Sequence, residues 1–208
     1  MRPNKMQYVI LAVLVLGLGG LTVVYASLTQ KLNISSTAEV VGGTWDVHFA
    51  NGQAPEEIGT AKLTKAPKLE NSQITELAVS FTKPGDKVNY VFDIVNAGSI
   101  DAKIDEYTIN SVANGIVCTD ANGSTDSADA QLVCNNLEFT LTYAEPTTVD
   151  QTENIIAAGA PVAQGQIVKA NKDVTVVLTI GFKPTATAVP ANDVSITGLD
   201  IDIDYLQN

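Results

Sequence analysis

The chain has 208 residues, with 23 acidic and 12 basic side chains and a formal net charge of −11 at pH 7. So acidic a chain is repelled by nucleic acid and by anionic lipid surfaces, which excludes nucleic-acid partners. The length suits one β domain or at most two small ones, and is ample for a hydrophobic core. We predict a single domain over residues 27–208.

The N-terminus reads as an export signal. Arg2 and Lys5 precede a long apolar run without charge, and small residues follow it, which is the three-part pattern of a secretory signal peptide. We predict that residues 1–26 are removed by a signal peptidase between Ala26 and Ser27. The alternative is an uncleaved membrane anchor, since the run is about long enough to span a bilayer. Both interpretations place the rest of the chain outside the cell, in the extracellular matrix or on the cell surface.

Beyond the signal, apolar and polar side chains alternate with the period of a β-strand. The predicted apolar faces are Trp45, Val47, Phe49; Leu77, Val79, Phe81; Val88, Tyr90, Phe92, Ile94; Leu137, Phe139, Leu141, Tyr143; Val174, Val176, Leu178, Ile180, Phe182; and Leu199, Ile201, Ile203, Tyr205. About eight to ten such segments, separated by turn residues, predict an all-β fold, an antiparallel β-sandwich with jelly-roll-like or immunoglobulin-like connectivity. Lys83-Pro84-Gly85-Asp86 is typical of a type II turn. Residues 50–68 and 147–172 are interpreted as long connections that can include a short helix.

Two cysteines, Cys118 and Cys134, flank a polar loop. In an exported protein such a pair predicts a disulfide, which would stabilise the fold by about 3 kcal/mol on the chain-entropy model. The alternative is a pair of buried free thiols.

Oxygen-bearing side chains in the loop between the cysteines are a candidate calcium site, and they are Asp120, Asn122, Asp126 and Asp129. Their spacing is not that of an EF-hand, and the alternative is ordinary solvated turn chemistry. A second acidic set, on the last predicted strand, is Asp200, Asp202 and Asp204. Its simplest interpretation is a solvated stripe that deters edge-to-edge aggregation.

Catalytic chemistry finds no support in the sequence. His48 is the only histidine and is predicted to lie on the polar face of a strand. A zinc site or a Ser-His-Asp triad cannot be built around it with any specificity, and no glycine-rich phosphate loop follows a strand. We therefore predict that the protein is not an enzyme and has no cofactor apart from the calcium hypothesis.

The segment that follows the predicted cleavage site, residues 27–41, has an apolar face made by Leu28, Leu32, Ile34, Ala38 and Val40. Such a strand can insert into a neighbouring molecule by β-augmentation, and a head-to-tail contact of this kind that does not close on itself generates a filament. The alternative is that the segment pairs within its own domain.

Two blocks of sequence resemble a known family. Residues 32–38 with 44–49, and residues 81–88 with 92–102, are similar to framework segments of the TasA/camelysin family of exported biofilm matrix proteins, in which a Pro-Gly-Asp turn, a strand and an Asn-x-Gly-Ser-x-Asp motif follow one another. The resemblance covers about the first 110 residues. It implies a jelly-roll-like sandwich, secretion with cleavage by a dedicated signal peptidase, a Gram-positive-type surface and assembly into extracellular fibres. Some relatives carry a metallopeptidase label, but the ligands for that activity are missing here, and the Cys118/Cys134 pair departs from the family.

From these observations we expect a homopolymer: a structural subunit of surface or biofilm-matrix fibres that assembles by exchange of its N-terminal strand. Signal peptidase during export, and matrix or cell-surface components, are the other expected partners. The alternatives are a monomeric cell-surface adhesin or carbohydrate-binding module and, as a second alternative, a secreted metallopeptidase.

Overall fold

Two large antiparallel β-sheets and one small two-stranded sheet form the protein over the residues that the computed structural model describes, which are 43–110, 115–149 and 155–208. The elements, in chain order, are β1 (Val47–Ala50), β2 (Glu56–Ile58), β3 (Lys62–Lys65), β4 (Lys68–Leu69), β5 (Gln73–Phe81), β6 (Lys87–Asn96), β7 (Ala102–Ile109), β8 (Val117–Asp120), α1 (Ala128–Asn135), β9 (Leu137–Tyr143), β10 (Thr147–Thr148), β11 (Ile155–Ile156), β12 (Ile167–Val168), β13 (Lys172–Phe182) and β14 (Val194–Gln207). Residues Gly43–Asn208 cluster as one compact unit.

The connectivity is that of a jelly roll. Sheet A has the order β1-β6-β13-β9, with β2 also paired to β6, and sheet B has the order β12-β7-β14-β5-β3, with β4 on β5 and β8 on β14. The antiparallel pairs are nested: β5 pairs with β14, β6 with β13, β7 with β12, and β9 with residues 159–162. A long hairpin rolled up in this way is a jelly roll, so the predicted β-sandwich is confirmed and the immunoglobulin-like alternative is not the one adopted.

The core lies between the sheets and is built by the predicted alternation. β6 and β13 bury every second residue, including Phe92 and Ile180 at 0% and 1% exposure. One member of the predicted faces was misplaced: Trp45 precedes β1 and is 41% exposed. The strand begins only at Val47. Just before it, the backbone at Thr44 lies so close to Gly98 that a side chain at position 98 would have no room.

The helix is also not where the sequence suggested one. The described parts of residues 50–68 and 147–172 contain short strands and no helix, whereas α1 begins in the loop between the two cysteines and includes Cys134. Ser127 caps its first turn by accepting a hydrogen bond from the N–H of Ala130, and Ala130 and Val133 are buried. Polar residues are spread through this two-turn segment, so its sequence did not indicate a helix.

Two motifs of the family resemblance, the Pro-Gly-Asp turn and the Asn-x-Gly-Ser motif, connect different parts of the fold by hydrogen bonds. Gly85 has φ 92°, and the N–H of Asp86 bonds the C=O of Lys83 at 3.2 Å, which confirms the predicted turn. The buried Asp86 carboxylate accepts hydrogen bonds from the N–H groups of Thr60, Thr82 and Lys83 at 2.7–3.0 Å. Burial disfavours its charge, but these hydrogen bonds outweigh that and hold the pKa of Asp86 below its ordinary value.

The second motif fastens the beginning of the folded unit. Asn96 is fully buried, and its amide donates to the C=O groups of Ile100 and Val168, which joins sheet A to β12 of sheet B. Ser99 and Thr44 exchange backbone and side-chain hydrogen bonds of 2.9–3.1 Å. The Asn-x-Gly-Ser motif therefore holds Thr44, near the beginning of the described residues.

Candidate assembly surface

The proposed donor strand lies outside the described residues. This applies to Leu28, Leu32, Ile34, Ala38 and Val40 and to the predicted cleavage site, Ala26-Ser27. What the structure does describe is the surface that could receive a strand. Such a surface needs backbone N–H and C=O groups that no neighbouring strand uses.

One side of the sandwich offers such groups, because the outermost strands of the roll are short there. In the register of β9 with β13, the even residues of β9 bond to β13 and the odd ones point away from it. Residues 159–162 bond to Tyr143 and Leu141. Among the described residues, no backbone partner lies beyond the outward groups of Leu137 and Phe139.

The edge strand of sheet B on this side, β7, is also covered over only part of its length among the described residues. β12 and Gln166 cover the outer edge of β7 at Ala102 and Ile104, with the N–H of Ile104 bonded to the C=O of Gln166 at 2.8 Å. Further along β7, the outward groups of Tyr107 and Ile109 have no partner in the part of the chain that is described. We call the two uncovered edges together, residues 106–109 of β7 and 137–140 of β9, the open flank.

An apolar gap lies between the two edges of the open flank. Its empty space is about 170 Å³ including the part open to solvent, it is too narrow to admit a water molecule, and its lining is Ile109, Phe139, Leu178, Ile180, Leu199, Asp200 and Ile201. Phe139 is only half-buried, although its neighbours in the alternation, Leu137 and Leu141, are buried. A strand laid along β9 would cover this ring and continue sheet A.

Both ends of the open flank are tied across the sheets. At one end Gln166 bonds β7 through its backbone and accepts the hydroxyl hydrogen of Tyr143 of β9 at 2.9 Å through its side chain. At the other end a disulfide joins Cys118 of β8, in sheet B, to Cys134 of α1, three residues before β9 begins. The predicted disulfide is thus confirmed, and no free cysteine is present among the described residues.

The opposite edge of sheet B is protected against pairing with another chain. It consists of β3 and β4, which are two to four residues long and carry Lys62, Lys65 and Lys68. Each lysine pairs with a glutamate, at 3.1, 3.4 and 2.6 Å respectively. Short strands with lysines deter pairing with another chain. We call this edge the lysine flank.

The candidate calcium ligands are not brought together. Asp120 accepts from the N–H groups of Asn122 and Ser124, and Asp129 from those of Ala191 and Asn192. The Ala191 hydrogen bond is the main reason that the pKa of Asp129 is lowered. The described residues hold no group of three or more His, Cys, Asp or Glu side chains arranged for a metal ion, and Asp126 is in no such group. The geometry gives the calcium hypothesis no support.

The remaining candidate residues lie on outer faces. The Nδ1 atom of His48 is 2.8 Å from a carboxylate oxygen of Asp46, on the strand surface where the sequence placed it. In the acidic stripe, Asp200 accepts from Asn110 and Asp202 from Gln73, while Asp204 is exposed and lies opposite Glu106. β14 is paired on both sides, with β5 and with β7 and β8, so the stripe lies on the face of sheet B and not at an edge, and the expected role in deterring edge-to-edge aggregation is wrong.

The sequence could not have singled out Phe139, Tyr107 or Ile109. Phe139 belongs to a clean apolar alternation and was expected to be core, while Tyr107 and Ile109 lie in a less regular stretch of apolar residues. Which strand ends at an edge, and how far its neighbour covers it, depends on residues far away in the chain.

No helix of the described residues is long and apolar enough to cross a membrane. Comparison of the chain with protein-family models, with curated proteins and with solved structures finds no match. The assignment of a function therefore depends on the surfaces of the sandwich itself.

Proposed function

We propose that the protein is a structural subunit of extracellular fibres, in which residues 28–40 of one molecule pair with the open flank of the next. The observation that carries the proposal is the uncovered edge of β9 at Leu137 and Phe139 beside an apolar gap. The donor and the acceptor have matching patterns, since a strand with alternate apolar side chains would satisfy the outward backbone groups and cover the ring of Phe139.

The magnitudes favour a stable contact. The five apolar side chains of the donor contribute about 1.5–3 kcal/mol each when fully buried, so the gross gain is on the order of 10 kcal/mol. Ordering of the strand and loss of translational freedom reduce this gain. Donor and acceptor are different surfaces of the molecule, so the contact is head-to-tail and can propagate into a filament.

Export supports the same proposal. A disulfide is compatible with an extracellular location, and the basic, apolar and small-residue sequence of residues 1–26 is the expected signal. Thr44, near the beginning of the described residues, is held to Ser99 by hydrogen bonds, and residues 28–40 precede this tie in the sequence.

The first test compares the chain that begins at Ser27 with the chain that begins at Gly43, by negative-stain electron microscopy. We expect fibres from the first and none from the second, with β-type circular dichroism spectra for both. Monomers in both samples would contradict self-assembly and favour a monomeric adhesin.

A further inference from the structure

The disulfide lies at a place where it can control the open flank. Cys118 belongs to β8, which pairs with β14 on the same edge as β7. Cys134 lies near the end of α1, and the C=O of Asn136, two residues on, accepts the first hydrogen bond of the β9–β13 ladder, from Lys183 at 2.8 Å. The disulfide therefore connects the edge of sheet B with the beginning of the edge strand of sheet A.

An eight-residue helix is not stable by itself in water, so α1 depends on its contacts with the sandwich. It buries Ala130 and Val133, packs Leu132 against the core, and bonds through Asp129 to the exposed loop at residues 191–192. The disulfide is the one covalent cross-link between side chains of α1 and β8 among the described residues.

Accepting a strand requires that Leu137 and Phe139 be held at a fixed distance from β7. The Gln166 tie fixes the far end of the flank with hydrogen bonds alone, and the near end is fixed by the disulfide. Without it, α1 and the first residues of β9 lose their anchor to β8, and the donor must order them before it can bind. The cost of that ordering is subtracted from the affinity.

We propose that the Cys118–Cys134 disulfide is an assembly switch: only the oxidised chain presents an open flank that accepts a strand, and the reduced chain stays monomeric. This inference rests on the proposed function. Formation of the disulfide transfers two electrons and two protons from the two cysteine thiols to an external disulfide, which is released as a dithiol. In a reducing cytosol the chain would stay unable to polymerise, and it would gain that ability in the oxidising environment outside.

The test uses the chain from Ser27 in three forms: oxidised, reduced with dithiothreitol, and a double variant, Cys118→Ser with Cys134→Ser. Fibre yield is measured by sedimentation and electron microscopy, and folding by near-ultraviolet circular dichroism. A second double variant, Cys118→Val with Cys134→Val, replaces the first if the serines unfold the core, since Cys118 is only 3% exposed.

We expect fibres from the oxidised chain and at least a tenfold higher concentration threshold for the reduced and variant chains, all of them folded. Equal thresholds would overturn the switch and leave the proposed function intact. Global unfolding of the reduced chain and of both variants would also overturn it, because the disulfide would then support the whole fold and not the flank. Absence of fibres from the oxidised chain would instead contradict the proposed function.

Hydrogen exchange gives an independent readout on the monomer. In the chain from Gly43, which lacks the donor, reduction should speed exchange at Glu138 and Thr140, whose N–H groups bond to β13, and leave exchange at Val176 and Leu178, which bond to β6, unchanged. Unchanged exchange at Glu138 and Thr140 would overturn the switch even if fibre yield fell.

Discussion

The two flanks of the sandwich are closed to different degrees and by different means. On the lysine flank, β3 and β4 are short and carry Lys62, Lys65 and Lys68, each paired with a glutamate. On the open flank, the short outer strands of the roll leave Phe139, Tyr107 and Ile109 at uncovered edges. The charged lysine flank is protected against pairing with a strand of another molecule. The open flank, with its half-exposed apolar residues, is suited to such pairing.

The largest expected effect comes from placing a carboxylate on each flank. Phe139→Asp would bury a charge beneath the incoming strand, and should raise the concentration threshold for fibres roughly a hundredfold, about 3 kcal/mol. The matched control is Leu63→Asp, since Leu63 is also half-buried against the core but lies between lysines on the lysine flank. Sedimentation of both variants, with thermal melts to compare monomer stability, makes the measurement. Equal effects of the two variants would remove the distinction between the flanks.

A smaller effect is expected at Asp86, which joins the loop before β3 to the turn before β6. Asp86→Asn keeps the shape but loses the charge that three N–H groups bind, and should lower the free energy of unfolding by about 2 kcal/mol. Because the folded pKa is lowered, this stabilisation is complete above the unfolded pKa of about 4 and is lost as pH falls through the folded value. Urea unfolding at pH 7 and at pH 3 should show a smaller difference between the two chains at pH 3. A difference independent of pH would mean that the carboxylate charge is not what stabilises the turn.

The smallest effect on stability is expected from removing the lysines. Replacement of Lys62, Lys65 and Lys68 by glutamine should leave the melting temperature almost unchanged, because exposed ion pairs contribute little. The same variant should form lateral aggregates, visible by light scattering at low salt, since its edge is no longer protected. A variant that stays as dispersed as the native chain would show that strand length alone closes this flank.

Local patterns predicted much of this fold. The alternation of Val88, Tyr90, Phe92 and Ile94 reports which side chains are buried, and Pro84-Gly85 reports a turn, because both are short-range consequences of backbone geometry. The disulfide also followed from two cysteines in a chain that is predicted to be exported. The position of Trp45 was predicted wrongly because the apolar alternation begins two residues before β1 does. The helix α1 was missed because only two of its residues are buried.

The acceptor surface could not be predicted in this way. Phe139 and Leu178 have the same appearance in the sequence, yet Leu178 is buried between two neighbouring strands, while Phe139 has a neighbouring strand on one side only among the described residues. That difference arises because residues 159–162 stop short of Phe139. Strand order and strand coverage are long-range properties, and one sequence does not display them.

The position of β14 has a consequence for the time at which the protein can fold. This strand is the middle of sheet B, paired with β5 on one side and with β7 and β8 on the other, and its partner Ile74 in β5 lies well over half the chain before Ile201. Contacts between such distant residues make folding slow, and sheet B has no centre until residues 194–207 have left the ribosome. A nascent chain with this topology therefore cannot close its sandwich until β14 has been made, even though the long strands of sheet A are already complete at Phe182.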